Sequence, residues 1–322
     1  MEPPLVTVVV LAHNRRDELR VTLRALTEEL DYPAARLETI VVDNASADGT
    51  ATMVRKEFRG VELVERPRNV GIAGWNDGIR AGRGEFFLLL DDDCYLVGDS
   101  LLRAVAAAGN YTADLVSFRV RSTLNPGFVF NTAWDPGLLS FWGCAALVRR
   151  DAALALGGFD PEIFIWAHEP EFTIRLLDSG RRHLHAADID AFHQADPHRE
   201  RAPGFHRLNT RNLAYTAAKL LQPLDAARAL GNLALAALLE AARDPRRAGS
   251  LPALAAGAWR GSRNRAPVRA AVSALYRANF SDFVSPFRFI RGGRVEDARA
   301  RRRRFWNDRG ALYPRRTAWL QL

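Results

Sequence analysis

The chain has 322 residues, nearly half of them apolar and a quarter charged, which is the balance of a folded globular protein and excludes a disordered one. Its two cysteines, Cys94 and Cys144, come without a CxxC pair or a Cys/His spacing of the zinc-site kind. Neither a disulfide framework nor a structural zinc is therefore expected, and a reducing, cytoplasmic compartment is. The net charge of +8 conceals a division: residues 211–322 carry 22 Lys/Arg against 7 Asp/Glu, whereas residues 1–210 carry 23 against 30. Front and rear are expected to meet different partners.

Residues 1–7 lack the cationic start and long apolar run of an export signal, so no export is expected. The β-branched run at 6–11 reads as a buried strand that empties into the polar loop Ala12-His13-Asn14-Arg15. Leu19, Leu23, Leu26 and Leu30 then recur at helical spacing over 17–30. A second strand over 37–42 leads into the polar loop 43–50, and a helix follows to about residue 58. Residues 61–64 read as a short third strand. The segment 69–78 holds three glycines that permit a close turn before a helix to about Ala81. Strands alternating with helices predict parallel pairing with right-handed crossovers.

The fourth strand, 86–90, is apolar throughout and ends in Asp91-Asp92-Asp93. Three adjoining carboxylates repel one another unless a cation sits among them, and Mg²⁺ or Mn²⁺ is the economical choice because hard cations take carboxylate oxygens and bridge them to phosphates. A solvated acidic turn is the competing reading. In open α/β sheets ligands bind beyond the carboxyl ends of the strands, which puts Asn14, Asp43 and Asp91 to Asp93 on one rim. Further on, the pattern predicts a helix over 99–109, a strand over 115–120, a turn-rich insertion over 122–140, a strand over 141–148, a helix from Asp151 ended by Gly157-Gly158, and a helix over 169–177. A last strand-like piece at 188–192 stops at His193.

After about residue 209 the chain turns Ala/Leu-rich and helical with a break at Pro223, then becomes Arg-dense from 285 to 322. The longest apolar stretch there, 230–239, is well short of the roughly 20 residues a membrane span needs. Two regions are expected, at 1–210 and 211–322, the first divided near residue 98 into two halves.

The motifs VVVLAHNR (8–15), VVDNASADGT (41–50), NVGIAGWNDGI (69–79), LLLDDDC (88–94), WGCAALVRRDAALALGGFDPEIF (142–164) and HEPEFTIRLLDSG (168–180), in this order, resemble the inverting family 2 glycosyltransferases, in particular the rhamnosyltransferase-like branch. The resemblance implies an α/β GT-A fold: a Rossmann-like, mostly parallel sheet flanked by helices, followed here by a helical, basic C-terminal region. It implies base and ribose contacts from Ala12, Asn14 and Asp43, and donor contacts from Asn69, Gly71 and Asn76. Asp91 and Asp92 would lie against the nucleotide-sugar, and Asp93 with His193 would hold Mn²⁺ or Mg²⁺; the choice between Asp92 and Asp93 as ligand stays open, and His185 and His198 compete with His193. Glu169 stands at the catalytic acidic position, preceded by His168 where the family carries an acid, with Glu171 as the other candidate base. Trp142, Gly143 and Trp166 fall in the acceptor part.

Structural duties compete at each position. Asp48 suits a turn or cap before Gly49 and Thr50, Asn76 suits a cap, and the acids at 169–171 suit a helix N-terminus. The implied donor is a dTDP-, UDP- or GDP-sugar and the acceptor a glycan, a lipid-linked glycan or a small molecule. A nucleotidyltransferase of related architecture is the rival within the fold, although AHNRRDEL lacks the glycines of its phosphate loop. The rival outside it is a noncatalytic protein whose basic rear meets anionic membrane or, less in keeping with the motifs, nucleic acid. Peripheral contact at the inner face of the cell membrane is the expectation for that rear region.

Overall fold

A computed structural model describes residues 2–130, 140–196, 204–283 and 318–319. Among them the chain divides into two compact units: residues up to Phe164, joined by those from Arg181, form the first, and Ile165–Gly180 with the C-terminal helices form the second. The change of character expected near residue 210 falls inside a helix that runs from Phe205 to Leu220, because the first two turns of that helix are polar and only the later ones are apolar. The Arg-dense stretch from 285, with Asp135-Pro136-Gly137 and His198, lies outside the described residues apart from residues 318–319.

The first unit is built on a mixed, mostly parallel sheet. Strand β1 (Val6–Ala12) is buried at every position, and it pairs in parallel with β2 (Leu37–Asp43) on one side and β4 (Phe86–Asp91) on the other. Strand β3 (Glu62–Glu65) continues the parallel ladder beyond β2. On the far side β7 (Ala145–Arg149) runs antiparallel between β4 and β6 (Leu115–Ser122), and β8 (His183–His193) lies parallel to β6. The short strand β5 (Cys94–Tyr95) closes the order β3-β2-β1-β4-β7-β6-β8-β5, with β9 (Ala318–Trp319) added to β8. Order reverses between β1 and β4, so the chain leaves these neighbours in different directions and opens a crevice at their carboxyl ends.

Helix α1 (Arg16–Arg24) sets Leu19 and Leu23 into the core, and Leu26 follows them. The helix expected to reach residue 30 instead widens into a π-turn over Ala25–Glu29, where the Thr27 hydroxyl donates to the Leu23 and Arg24 carbonyls and competes with the regular ladder. Helices α2 (Thr50–Glu57) and α3 (Trp75–Ala81) are the crossovers of the parallel half, and α4 (Ser100–Asn110) and α5 (Arg150–Ala155) complete the unit. The strand expected from residue 141 begins only at Ala145, because Trp142 and Ala145 close a turn. The piece expected at 188–192 is instead the end of β8, an eleven-residue strand whose pairing with β6 jumps from Ala186 to Asp190. That bulge carries three extra residues and sets His193 opposite Cys94.

Among the described residues the second unit holds the helices α6 (His168–Asp178), α7 (Phe205–Leu220), α8 (Pro223–Arg243), α9 (Ser250–Arg263) and α10 (Ala270–Phe283), with a 3-10 turn at Pro245–Arg247. Helix α9 lies hard against α7, since a Cβ on Gly257 or Gly261 would meet the Arg211 or Tyr215 carbonyl oxygen at 2.1 and 2.4 Å. In the first unit Gly71 carries a similar constraint. It has φ +63°, and a Cβ there would stand 1.8 Å from the Phe164 carbonyl oxygen that accepts from the Ile72 amide. Gly71→Ala is expected to lower the unfolding free energy by about 3 kcal/mol through strain and overlap, measured by urea denaturation with an unchanged m-value.

Candidate active site

Register fixes the rim. Ala12 lies beside Asp43 across β1 and β2, and Leu11 beside Asp91 across β1 and β4, so the loops after three strands start level. The loop after β1 turns at Asn14, which has φ +53°, a conformation asparagine tolerates better than most residues. Asn14 ties this loop to the one after β2: its amide N–H donates to Ser46 Oγ at 3.0 Å and its Oδ1 accepts from the Ala47 amide at 2.7 Å. Asp43 is buried and accepts from the Ser46 amide at 3.0 Å, an Asx-turn that leaves its second oxygen uncommitted by that bond. Asp48 has the capping part expected of it, accepting from the Thr50 amide at 3.1 Å and the Arg16 amide at 2.9 Å.

The aspartate triplet is the electrostatic centre of this unit. Asp92 and Asp93 are buried, and their loop is pinned by its backbone: Thr22 Oγ1 donates to the Asp92 carbonyl and the Gln194 amide donates to the Asp93 carbonyl, each at 2.8 Å. The His13 amide donates to Asp92 Oδ2 at 3.0 Å. Arg15 Nη1 contacts Asp93 Oδ2 and stands 3.5 Å from Asp92 Oδ1. Burial pushes the Asp92 carboxyl up to about 7, against the pull of Arg15 and with the help of Asp93. Burial works to lower the Arg15 guanidinium, and the three aspartates outweigh it, so the group stays charged.

His193 completes the cluster, with Nε2 3.2 Å from Asp93 Oδ1. Its Nδ1 is buried without a hydrogen-bond partner among the described residues. Two hard carboxylates and a borderline imidazole suit Mn²⁺ or Mg²⁺, which take one or two protein carboxylates and fill the remaining positions with phosphate oxygens and water. Among the described residues no group of three or more His, Cys, Asp or Glu side chains is placed to hold a metal ion by itself. His185 is otherwise engaged, its Nδ1 lying 3.0 Å from Ser117 Oγ. Cys94 and Cys144 are free, buried thiols, both pushed up by burial and so poor nucleophiles.

The predicted donor segment divides into two kinds of residue. Asn69 Oδ1 accepts from the Gly71 amide at 2.8 Å and shapes the turn. Asn76 spends both ends of its amide on Phe159, donating to the carbonyl and accepting from the N–H at 2.8 Å each, so its duty is to fix a loop. Asn44, inside the 41–50 motif but given no role of its own there, does the same for the rim: Nδ2 donates to the Gly71 carbonyl and Oδ1 accepts from the Val70 amide, both at 3.0 Å. Trp142 tilts on Phe130 at 6.0 Å between centroids, and Phe130 lies 5.0 Å from His193, which puts Trp142 and the adjoining Gly143 on the metal-candidate side of this unit.

The second unit carries the acids of α6. Glu171 is 1% exposed and fully committed: Arg175 donates to both oxygens at 2.8 Å, and Lys219 Nζ reaches Oε1 at 2.8 Å. Glu169 keeps about a fifth of its side chain exposed, with His168 Nδ1 3.5 Å from Oε2. Burial pulls His168 below the ordinary histidine value, against Glu169 and Glu171, and leaves the imidazole neutral. Trp166 meets Phe205 edge-on at 4.9 Å.

The sheet order is that of the GT-A fold. Residues 7–156 match the sequence model of Glycosyl transferase family 2. Glycosyltransferase AglE of Haloferax volcanii is 28% identical over 209 residues, 60% of this chain and 68% of that protein. Succinoglycan biosynthesis protein ExoO of Rhizobium meliloti is 37% identical over 128 residues, covering 37% of this chain and 36% of that one, so the chain spans about a third of that relative's length. The mannosyltransferase PcManGT from Pyrobaculum calidifontis, solved with GDP-Man and Mn²⁺, superposes with a TM-score of 0.57 at 22% identity over 95% of this chain and 88% of that one. At that identity the likeness is one of fold.

Replacing Asn44 by alanine strands the Gly71 carbonyl and the Val70 amide. Asn44→Ala is expected to cost about 2–4 kcal/mol in a urea melt, with the rim loops losing amide protection before the rest of the sheet.

Proposed function

We propose that the chain transfers a sugar from a nucleotide-diphospho-sugar to an acceptor hydroxyl, with inversion at the anomeric carbon, in the making of a glycan. The observation that carries the reading is the convergence of Asn14, Asp43 and the aspartate triplet on the carboxyl rim of β1, β2 and β4, within the residues that match the family 2 model. The family match favours sugar transfer over nucleotidyl transfer and over a noncatalytic role.

Asp43 accepts a base N–H, while the loop at Asn14 and the turn at Asn69–Gly71 close around the nucleotide-sugar. Asp93 and His193 would hold a divalent cation, with Asp92 and Arg15 setting the charge around them. When bound, the cation supplies Lewis-acid neutralisation of the charge that builds on the leaving diphosphate. Glu169 takes the proton of the acceptor hydroxyl as its oxygen attacks the anomeric carbon, and the bond to the diphosphate breaks on the opposite face. Glu171 is the poorer candidate, because Arg175 and Lys219 already hold its two oxygens. His168, neutral beside Glu169, leaves that carboxylate uncompensated by a fixed charge. Trp142, Gly143 and Trp166 belong to the acceptor side.

Titration calorimetry with GDP, UDP and dTDP, each with and without Mn²⁺, tests the donor half. One nucleotide is expected to bind only with metal, and Asp93→Ala is expected to abolish that dependence; binding of none with or without metal refutes the reading. For the base, Glu169→Gln is expected to lower turnover by about 10²–10⁴ with nucleotide affinity unchanged, measured as nucleoside diphosphate release.

Among the described residues no helix is long and apolar enough to cross a membrane. The outward face of α8 nonetheless exposes Leu224, Leu235 and Leu238 at 75%, 44% and 52%, with Arg228 among them. We propose a peripheral contact with anionic lipid along this stripe, which suits a lipid-linked acceptor. Flotation with phosphatidylglycerol vesicles at low salt is expected to carry the protein, and Leu235→Glu with Leu238→Glu is expected to leave it at the bottom of the gradient.

A further inference from the structure

Helix α6 starts in an unusual way. Trp166 and Ala167 have φ +62° and +56°, two consecutive residues with side chains in the left-handed region. Each such residue costs on the order of 1–3 kcal/mol and persists only where the surroundings over-determine it. Neither is glycine or asparagine, so nothing local relieves the strain. The restraint comes from α7, 46 residues downstream: Asn212, 1% exposed, donates through Nδ2 to the Ile165 carbonyl at 2.7 Å and to the Trp166 carbonyl at 3.0 Å. Its Oδ1 accepts from Arg211 Nη1 at 2.8 Å, so the amide is oriented.

Seven residues on, and therefore on the same face of α7, Lys219 reaches Glu171 in the first turn of α6. The start of α6 is thus gripped on both sides: Asn212 holds the carbonyls that precede Ala167, and Lys219, with Arg175, holds the carboxylate that follows Glu169. Glu169 sits between the two grips. Helix α7 is itself seated by the close approach of Gly257 and Gly261 of α9 to its backbone.

We propose that Asn212 and Lys219 are positioning residues for the base: they hold the left-handed turn and the first turn of α6 in the one conformation that aims the Glu169 carboxylate. This rests on the reading of Glu169 as the base. Without the Asn212 donors, the two left-handed residues relax toward ordinary φ and the direction of Glu169 changes with them. Misplacement of a reacting group by about 1 Å costs roughly 10²-fold in rate. The expected signature is a loss in kcat with the nucleotide site of the first unit untouched.

The test uses the full chain with Asn212→Ala, Lys219→Met and Glu169→Gln. Turnover is read as nucleoside diphosphate released from GDP-mannose, UDP-glucose or dTDP-rhamnose with water as acceptor, nucleotide affinity by calorimetry with Mn²⁺, and local order by hydrogen exchange of the peptide covering residues 163–172. Both positioning variants are expected to speed exchange in that peptide, to lower kcat by about 10- to 100-fold, and to leave nucleotide affinity and exchange in the sheet unchanged. Unaltered exchange in both, or faster exchange with undiminished kcat, overturns the proposal while the base assignment stands on the loss in Glu169→Gln. Full turnover by Glu169→Gln removes the base assignment and the proposal with it. Should Asn212→Ala fail to fold, Lys219→Met decides, since Arg175 still neutralises Glu171 in that variant. Should no donor release nucleoside diphosphate with the unaltered protein, unchanged exchange in the variants overturns the restraint by itself.

Discussion

Burying a carboxylate is costly unless cations or hydrogen-bond donors meet it, and much of this chain is arranged to meet that requirement at two places. In the first unit the sheet delivers Asp92 and Asp93 to the end of an apolar strand, where water is scarce and mutual repulsion is strong. The loop after β1 answers with the Arg15 guanidinium and the His13 amide, and β8 answers with His193. The pairing of β1 with β4 decides whether those partners arrive level with the carboxylates. Sheet order, loop shape and local charge are therefore one problem here, and the glycine and asparagine turns around the rim are its geometric side.

The second unit repeats the requirement in a different form. Glu171 is more deeply buried than Glu169 and is neutralised twice over, by Arg175 from its own helix and by Lys219 from α7. A buried ion pair of this kind contributes little net stability against an apolar substitute, but it tolerates only a narrow range of arrangements. The contrast between neighbouring acids is informative: Glu171 is locked in an ion-pair network, whereas Glu169 stays partly exposed.

The sequence told apart what is local from what is not. Strand periodicity and the switch from apolar run to polar loop placed β1, β2 and β4 and put Asn14, Asp43 and Asp91 to Asp93 on one rim, because those signals lie within a few residues of each other. Three things escaped it. The widening of α1 depends on one threonine hydroxyl competing with the backbone. The full length of β8 depends on pairing with β6 some 70 residues earlier, across a bulge whose residues look like a loop. The allegiance of α6 to the C-terminal helices depends on Asn212 and Lys219, which lie in an Ala/Leu-rich helix with no motif to mark them. For Asn76 the sequence left a donor contact and a turn or cap both open, and its two bonds to Phe159 join residues 83 positions apart.

The division of the chain also bears on how such a protein diversifies. The rim loops belong to the sheet, whereas α6 is interrupted in sequence from its structural companions and shares its charges with α7. Helices α6 and α7 are tied as a pair, since Lys219 of α7 shares the buried Glu171 carboxylate with Arg175 of α6. Recombination at the seam near residue 210, attractive from composition, would cut through that pair.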